Sequence, residues 1–164
     1  MPINNPIVDA GNDVAVKIIK DISQRQLMNE INAEALSHAN IIPILKIEQI
    51  DADVVVLMEP WGSLNLQQLL SVSRQICRAD IIRLNRFKHS SNGNELFVII
   101  RDSYSKQLAS ALDCCHSNGI LHLDVKPANI MVNIIDNQGW IKLGDFGNSV
   151  TLNQLESGAC EVIL

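Results

Sequence analysis

Short β-branched runs and longer stretches of helical period alternate along the chain. Val14-Ala15-Val16-Lys17-Ile18-Ile19 is apolar except for Lys17 and predicts a strand. Asp21 to His38 predicts a helix, with Ser23 as N-cap and Leu27, Ile31, Ala35 and Leu36 as a partial apolar stripe. Ile41 to Ile47 and Asp53 to Met58 predict two strands joined by a polar turn around Asp51. Leu64 to Cys77 predicts a helix carrying Leu64, Leu66, Leu69, Leu70 and Ile76. A second long helix is predicted from Glu95 to Asn118, where Tyr104, Leu108, Ala111, Leu112 and Cys115 form the buried stripe and Gly119 the C-terminal cap. Ile130 to Asn133 and Trp140 to Leu143 predict a hairpin around Asp136-Asn137-Gln138-Gly139. Met1 to Gly11, with Pro2, Pro6 and Gly11, reads as irregular. Arg78 to Asn94 carries Arg78, Arg83, Arg86 and Lys88 and reads as a basic turn or insertion. A solvated variable loop is the favoured account of it, a docking patch for an acidic partner the other. The mixture is an α+β pattern.

Composition narrows the classes. A chain of 164 residues fits one domain and can bury a core. A formal charge of −5 lacks the positive footprint of a nucleic-acid binder. Cys77, Cys114, Cys115 and Cys160 show no metal-ligand spacing and read as reduced thiols. The N-terminus has no basic stretch followed by an apolar run, and no apolar run approaches bilayer length. The expectation is a cytoplasmic monomer with no nucleic-acid or membrane partner.

The chemistry concentrates in His122-Leu123-Asp124-Val125-Lys126-Pro127-Ala128-Asn129 and, downstream, Asp145-Phe146-Gly147. Handling a nucleotide triphosphate needs a carboxylate to accept a hydroxyl proton. It also needs a carboxylate and an amide oxygen to hold magnesium, and an ammonium to offset charge on the moving phosphoryl. Asp124, Asp145, Asn129 and Lys126 fit those roles in that order.

The first stretch resembles the catalytic loop of protein kinases and the second their magnesium-binding motif. Lysine two residues after Asp124 is the serine/threonine-type pattern. Leu123 in place of the usual arginine, the run Lys-Pro-Ala-Asn-Ile and Ser149 are closer to the Mos kinases. The resemblance covers about residues 14–149. It implies a partial protein-kinase-like fold: a β-rich small lobe with one helix, about residues 1–60, and the beginning of a helical lobe, about residues 61–164. It also implies ATP and magnesium as cofactors, a protein substrate, and transfer of the ATP γ-phosphoryl to a serine or threonine hydroxyl. In Mos kinases the substrates are kinases that activate MAP kinases, and the setting is oocyte meiosis.

Residue by residue, the resemblance places Ala15 against the adenine ring and Lys17 on the α- and β-phosphates. Glu30, eight residues before His38, would ion-pair with Lys17. Met58 would guard the back of the adenine pocket, and the Glu59 carbonyl and Trp61 amide would face the adenine edge. Asp124 and Lys126 are the catalytic pair, Asn129 and Asp145 the metal and nucleotide ligands. His122 is expected to be scaffold packed on Asp145-Phe146-Gly147, with proton acceptance by His122 as the weaker alternative. Leucine at 123 cannot pair with an activation-loop phosphate, so a working enzyme of this sequence should not need that switch.

Three departures keep a rival open. Glu34 lies one turn after Glu30, where most kinases are apolar; it could compete for Lys17, and a solvated helix face is the favoured account of it. No glycine-rich segment precedes Lys17, and no Ala-Pro-Glu follows Ser149. The expectation is a chain truncated at both ends and feeble by itself. The rival is a catalytically inactive kinase-like fragment acting as a binding module. A small-molecule phosphotransferase is disfavoured, because Lys-Pro-x-Asn with Asp-Phe-Gly is rare there.

Overall fold

A computed structural model describes residues 13–51, 53–62, 64–71, 92–135 and 138–158. The irregular start through Gly11, the end of the predicted Leu64–Cys77 helix beyond 71, residues 78–91 of the basic segment, the turn residues Asp136 and Asn137, and Cys77 and Cys160 all lie outside them.

β1 (Ala15–Ile19), β2 (Ile44–Ile50) and β3 (Asp53–Met58) form an antiparallel sheet in the order β1-β3-β2. Its register sets Ala15 and Ile44 on either side of Met58 and Lys17 opposite Val56. The second strand starts three residues later than the apolar run predicts. Pro43 has no amide proton to give a ladder, and a bulge between Ile44 and Lys46 resets the pairing. The run's first residues do different work. Ile41 makes an isolated parallel bridge to Leu143, and Ile42 donates its amide to the Leu143 carbonyl at 2.9 Å.

Between β1 and β2 lies α1 (Gln24–Glu34). Ser23 and Gln26 cap each other reciprocally at its start, as the capping box requires. The helix is shorter than the predicted span, since Asp21 takes a positive φ of 49° before the cap and Ala35 already closes the last turn. Its buried face is Asn29, Glu30 and Ala33, with Leu36 just beyond its end, whereas Ile31 is 39% exposed. The apolar stripe therefore gave the wrong phase, because two of the buried side chains are polar.

After β4 (Leu64–Asn65), residues 66–71 continue as α2, opened by reciprocal bonds between Asn65 and Gln68. α3 (Asn92–Ser117) is the long helix, and it begins three residues before the predicted Glu95, so Asn92-Gly93-Asn94 belong to it and not to the basic segment. Tyr104, Ala111 and Cys115 are buried on it, as the periodicity predicts. Cys114 and Cys115 are free thiols, and burial pushes the Cys115 thiol up to about 11, with its neighbour Cys114 adding to the shift. Gly119 turns the chain with φ 68°, which suits glycine after a helix. β5 (Ile120–Leu121) then leads into the 122–129 loop. β6 (Ile130–Ile135) and β7 (Gln138–Leu143) form the hairpin, two residues longer on each arm than predicted, and β4 adds to its edge. β8 (Val150–Thr151) pairs with β5, and α4 (Leu152–Glu156) follows.

One apolar cluster joins these parts: Ala33 and Leu36 near α1, Ile41, Leu143 and Phe146 at the centre, and Ala111 and Cys115 on α3. A polar seam runs beside it. Asn40 donates to Gln107 and to the Ile141 carbonyl, and Gln107 accepts from the Ile141 amide at 2.8 Å and donates to the Gly139 carbonyl at 2.9 Å. This fixes β7 against α3, which matters because β7 leads through Gly144 into Asp145.

Candidate active site

β1 alternates outward and inward, and Lys17 is one of the inward positions. Its Nζ lies 2.6 Å from Glu30 Oε1 and 2.7 Å from Asp145 Oδ1. Three elements far apart in sequence thus meet on one ammonium. Burial by itself pulls the Lys17 ammonium down, but the Asp145 and Glu30 carboxylates outweigh it and the net shift is upward. Lys17 is therefore charged at neutral pH. Glu34 is exposed and takes no part, because the helix ends there and the chain turns away.

The 122–129 loop supplies the second group. Asp124 Oδ2 accepts from Lys126 Nζ at 2.7 Å, Asn129 Nδ2 at 3.0 Å and Asn148 Nδ2 at 3.4 Å. The Lys126 bond is the main cause that holds the Asp124 carboxyl below the usual carboxylate range. Asp124 is thus ionised and its other oxygen, Oδ1, is left for a proton. Pro127 opens a single 3-10 turn to Asn129. Asn129 also donates to the Asp124 carbonyl at 2.9 Å, and its own carbonyl accepts from the Gly144 amide at 3.0 Å. That last bond ties the loop to the residue before Asp145. Leu123 and Asp145 adopt φ of 59° and 65°. For residues other than glycine such angles cost about 1 kcal/mol or more, and they concentrate at working sites.

His122 is 2% exposed, and its ring stands 4.7 Å from Phe146. Nδ1 accepts from the Asp124 amide and Nε2 contacts the Gly144 carbonyl at 3.1 Å. A carbonyl can only accept, so Nε2 carries the hydrogen and the ring is neutral. Neither nitrogen is left to take a substrate proton, which removes the alternative that His122 is the base. Burial lowers the His122 imidazole, and the Gly144 carbonyl offsets only part of that. An unfolded chain takes up this proton near pH 6.5, above the folded value. Stability from His122 is therefore complete above about pH 6.5 and falls as pH drops below it. Urea midpoints at pH 7.5 and 5.5 should show a smaller acid loss in His122→Asn than in the parent; equal losses would contradict this account.

Ala15 and Met58 face each other across the β1–β3 ladder, at the end nearest the segment Glu59-Pro60-Trp61-Gly62. The sequence did not single out Lys142. It is 7% exposed, its Nζ lies 3.3 Å from Glu59 Oε2, and it sits 4.4 Å over the Trp61 ring centroid. It braces from below the segment whose backbone the adenine would meet. Gly62, with φ 63°, passes so close to β6 that a Cβ would collide with the Val132 carbonyl. Asn29 was also missed; it donates to the Gly147 carbonyl at 3.0 Å. Both residues are polar groups whose burial becomes visible only in three dimensions.

The donor set fits a magnesium-bound triphosphate. Asp145 offers a carboxylate whose side chain is 45% exposed, and Asn129 turns Nδ2 inward to Asp124, which leaves its Oδ1 as a hard oxygen ligand. One carboxylate and one amide oxygen are what magnesium takes when phosphates and water complete its shell.

Residues 7–163 match the family described as "Protein kinase domain". The chain is similar to "Serine/threonine-protein kinase mos" of Patiria pectinifera, 32% identical over an alignment of 155 residues that covers 89% of this chain and 38% of that protein. It is similar to "CBL-interacting serine/threonine-protein kinase 16" of Arabidopsis thaliana, 28% identical over 163 residues, covering 88% of this chain and 28% of the relative. A "Serine/threonine-protein kinase mos" of Ciconia nigra is 28% identical over 156 residues, 88% of this chain and 74% of its own length. The chain thus spans well under half of the first two relatives.

Proposed function

The chain belongs to the protein kinase family, serine/threonine type, and from that premise we propose that it transfers the γ-phosphoryl of ATP to a serine or threonine hydroxyl, with magnesium as the metal. The observation that carries the proposal is the meeting of Lys17, Glu30 and Asp145 within 2.7 Å on one ammonium. Without a substrate, an ion-paired lysine and a half-exposed aspartate neutralise each other. With ATP, Lys17 is the cation that reaches the α- and β-phosphates, and Glu30 keeps it aimed. Asp145 and Asn129 would hold the metal, which would supply positive charge against the phosphate oxygens. Asp124 accepts the proton of the attacking hydroxyl, and Lys126 faces the moving phosphoryl. Ala15, Met58, Glu59 and Trp61 receive the adenine.

The finer reading is that the acceptor is a MAP kinase kinase and the protein a cytoplasmic monomer that works without an activation-loop phosphate. Similarity to the proteins named mos supports the first part. Leu123, apolar and 47% exposed where a phosphate-pairing arginine would stand, supports the last. The test is transfer of labelled phosphate by the full-length protein, after phosphatase treatment, to a MAP kinase kinase held inactive by mutation. Label on serine or threonine is the expected result. Label on tyrosine alone, or none with any protein acceptor, would contradict the proposal.

A further inference from the structure

Each residue of Asp145-Phe146-Gly147 is held by a different part of the molecule. Asp145 bonds Lys17 of β1, Phe146 packs on His122 of the loop, and Gly147 accepts from Asn29 of α1. The first of these holds competes with the proposed chemistry. A Lys17 engaged on phosphate and an Asp145 engaged on metal have less to give each other. The Asn29–Gly147 bond uses no group that the nucleotide needs.

Asn29 is an unfavourable residue by packing alone. It is 2% exposed, and its Oδ1 has no hydrogen-bond partner among the described residues. A buried amide with an orphaned oxygen is less stable than an apolar side chain of the same shape. What asparagine adds over leucine is the Nδ2 donor, and that donor is aimed at the Gly147 carbonyl, two residues from the metal ligand. Gly147 lies beside both carboxylates: a Cβ built on it would stand at ordinary contact distance from Glu30 Oε1, 3.4 Å, and Asp145 Oδ1, 3.6 Å.

We propose that Asn29 is a positioning residue, which ties α1 to the Asp145–Gly147 turn through the Gly147 carbonyl and keeps Asp145 on the metal when Lys17 turns to phosphate. This rests on the functional reading above, and its test separates the two. In the full-length, nucleotide-free protein, amide hydrogen exchange is compared between the parent and two variants, Asn29→Leu and Asn29→Asp. Leucine removes the donor and the orphaned amide oxygen together. Aspartate keeps the shape, removes the donor and sets an oxygen against the carbonyl. Exchange should rise at 145–149 in both and stay unchanged in α3, while the thermal midpoint of Asn29→Leu holds or rises. With MgATP present, kcat of Asn29→Leu should fall about tenfold, the order one hydrogen bond is worth, with KM for protein substrate unchanged. If exchange at 145–149 is unchanged in Asn29→Leu, the proposal is overturned. It is equally overturned if exchange rises throughout and the midpoint falls, because Asn29 is then merely structural. Absence of phosphoryl transfer by the parent itself would sink the functional reading and leave the exchange comparison to decide the role of Asn29.

Discussion

Asp124→Asn should reduce phosphoryl transfer about a thousandfold while MgATP binding stays within a few-fold of the parent, because loss of a positioned general base costs roughly 10²–10⁴. The physical reason lies in the bonds of one oxygen. Lys126, Asn129 and Asn148 all donate to Asp124 Oδ2, so the carboxylate is fixed and ionised. Asparagine can keep an oxygen in the Oδ2 position and preserve those bonds. It then presents an amide N–H where the acceptor stood. Binding and geometry survive and proton acceptance does not. The assay is steady-state transfer from labelled ATP to a protein acceptor by the full-length protein, with nucleotide affinity measured in parallel. Turnover within tenfold of the parent would remove Asp124 from its role.

Lys17→Met acts on two properties at once. Glu30 is 2% exposed and loses a close partner, so folding stability should fall by about 3 kcal/mol, the cost of leaving a buried charge unpaired. Affinity for MgATP should fall about a hundredfold, as two phosphate contacts with an ammonium disappear at roughly 1.5–3 kcal/mol each, part of it regained by water. Pairing the change with Glu30→Gln separates the effects. The double variant removes the stranded carboxylate and should recover most of the stability, yet none of the affinity. Urea unfolding and nucleotide titration of the four proteins complete the cycle. Recovery of affinity in the double variant would mean that Lys17 serves the fold alone.

What the sequence made legible was the set of polar residues whose spacing follows from their chemistry. Asp124, Asn129 and Asp145 could be named from the chemistry of a triphosphate site and Lys17 and Glu30 from the kinase resemblance; the fold joins Lys17, Glu30 and Asp145 in one group and Asp124 and Asn129 in another. The buried stripe of α3 was equally plain, since Tyr104, Ala111 and Cys115 are apolar at helical spacing. The phase of α1 was not. A periodicity argument treats polar residues as solvent-facing, but α1 turns Asn29 and Glu30 inward, where Gly147 and Lys17 receive them. The only available signal was the ion-pairing role of Glu30, which places its neighbours too. Lys142 was hidden for the same reason: a strand lysine looks solvated until Glu59 and Trp61 are found beside it. The start of β2 was displaced by Pro43 and a bulge, and apolar content alone does not distinguish a ladder position from the Ile41–Leu143 bridge.

The central claim is that Lys17 and Asp145 serve one metal-chelated nucleotide. Calorimetric titration of ATP into the full-length protein, with and without magnesium, and the same pair of titrations on Asp145→Ala, tests it most directly. The account predicts that the parent binds ATP more tightly with magnesium and that Asp145→Ala loses this enhancement while keeping weak, metal-independent binding through Lys17. Equal magnesium enhancement in both proteins, or no ATP binding by the parent, would contradict it.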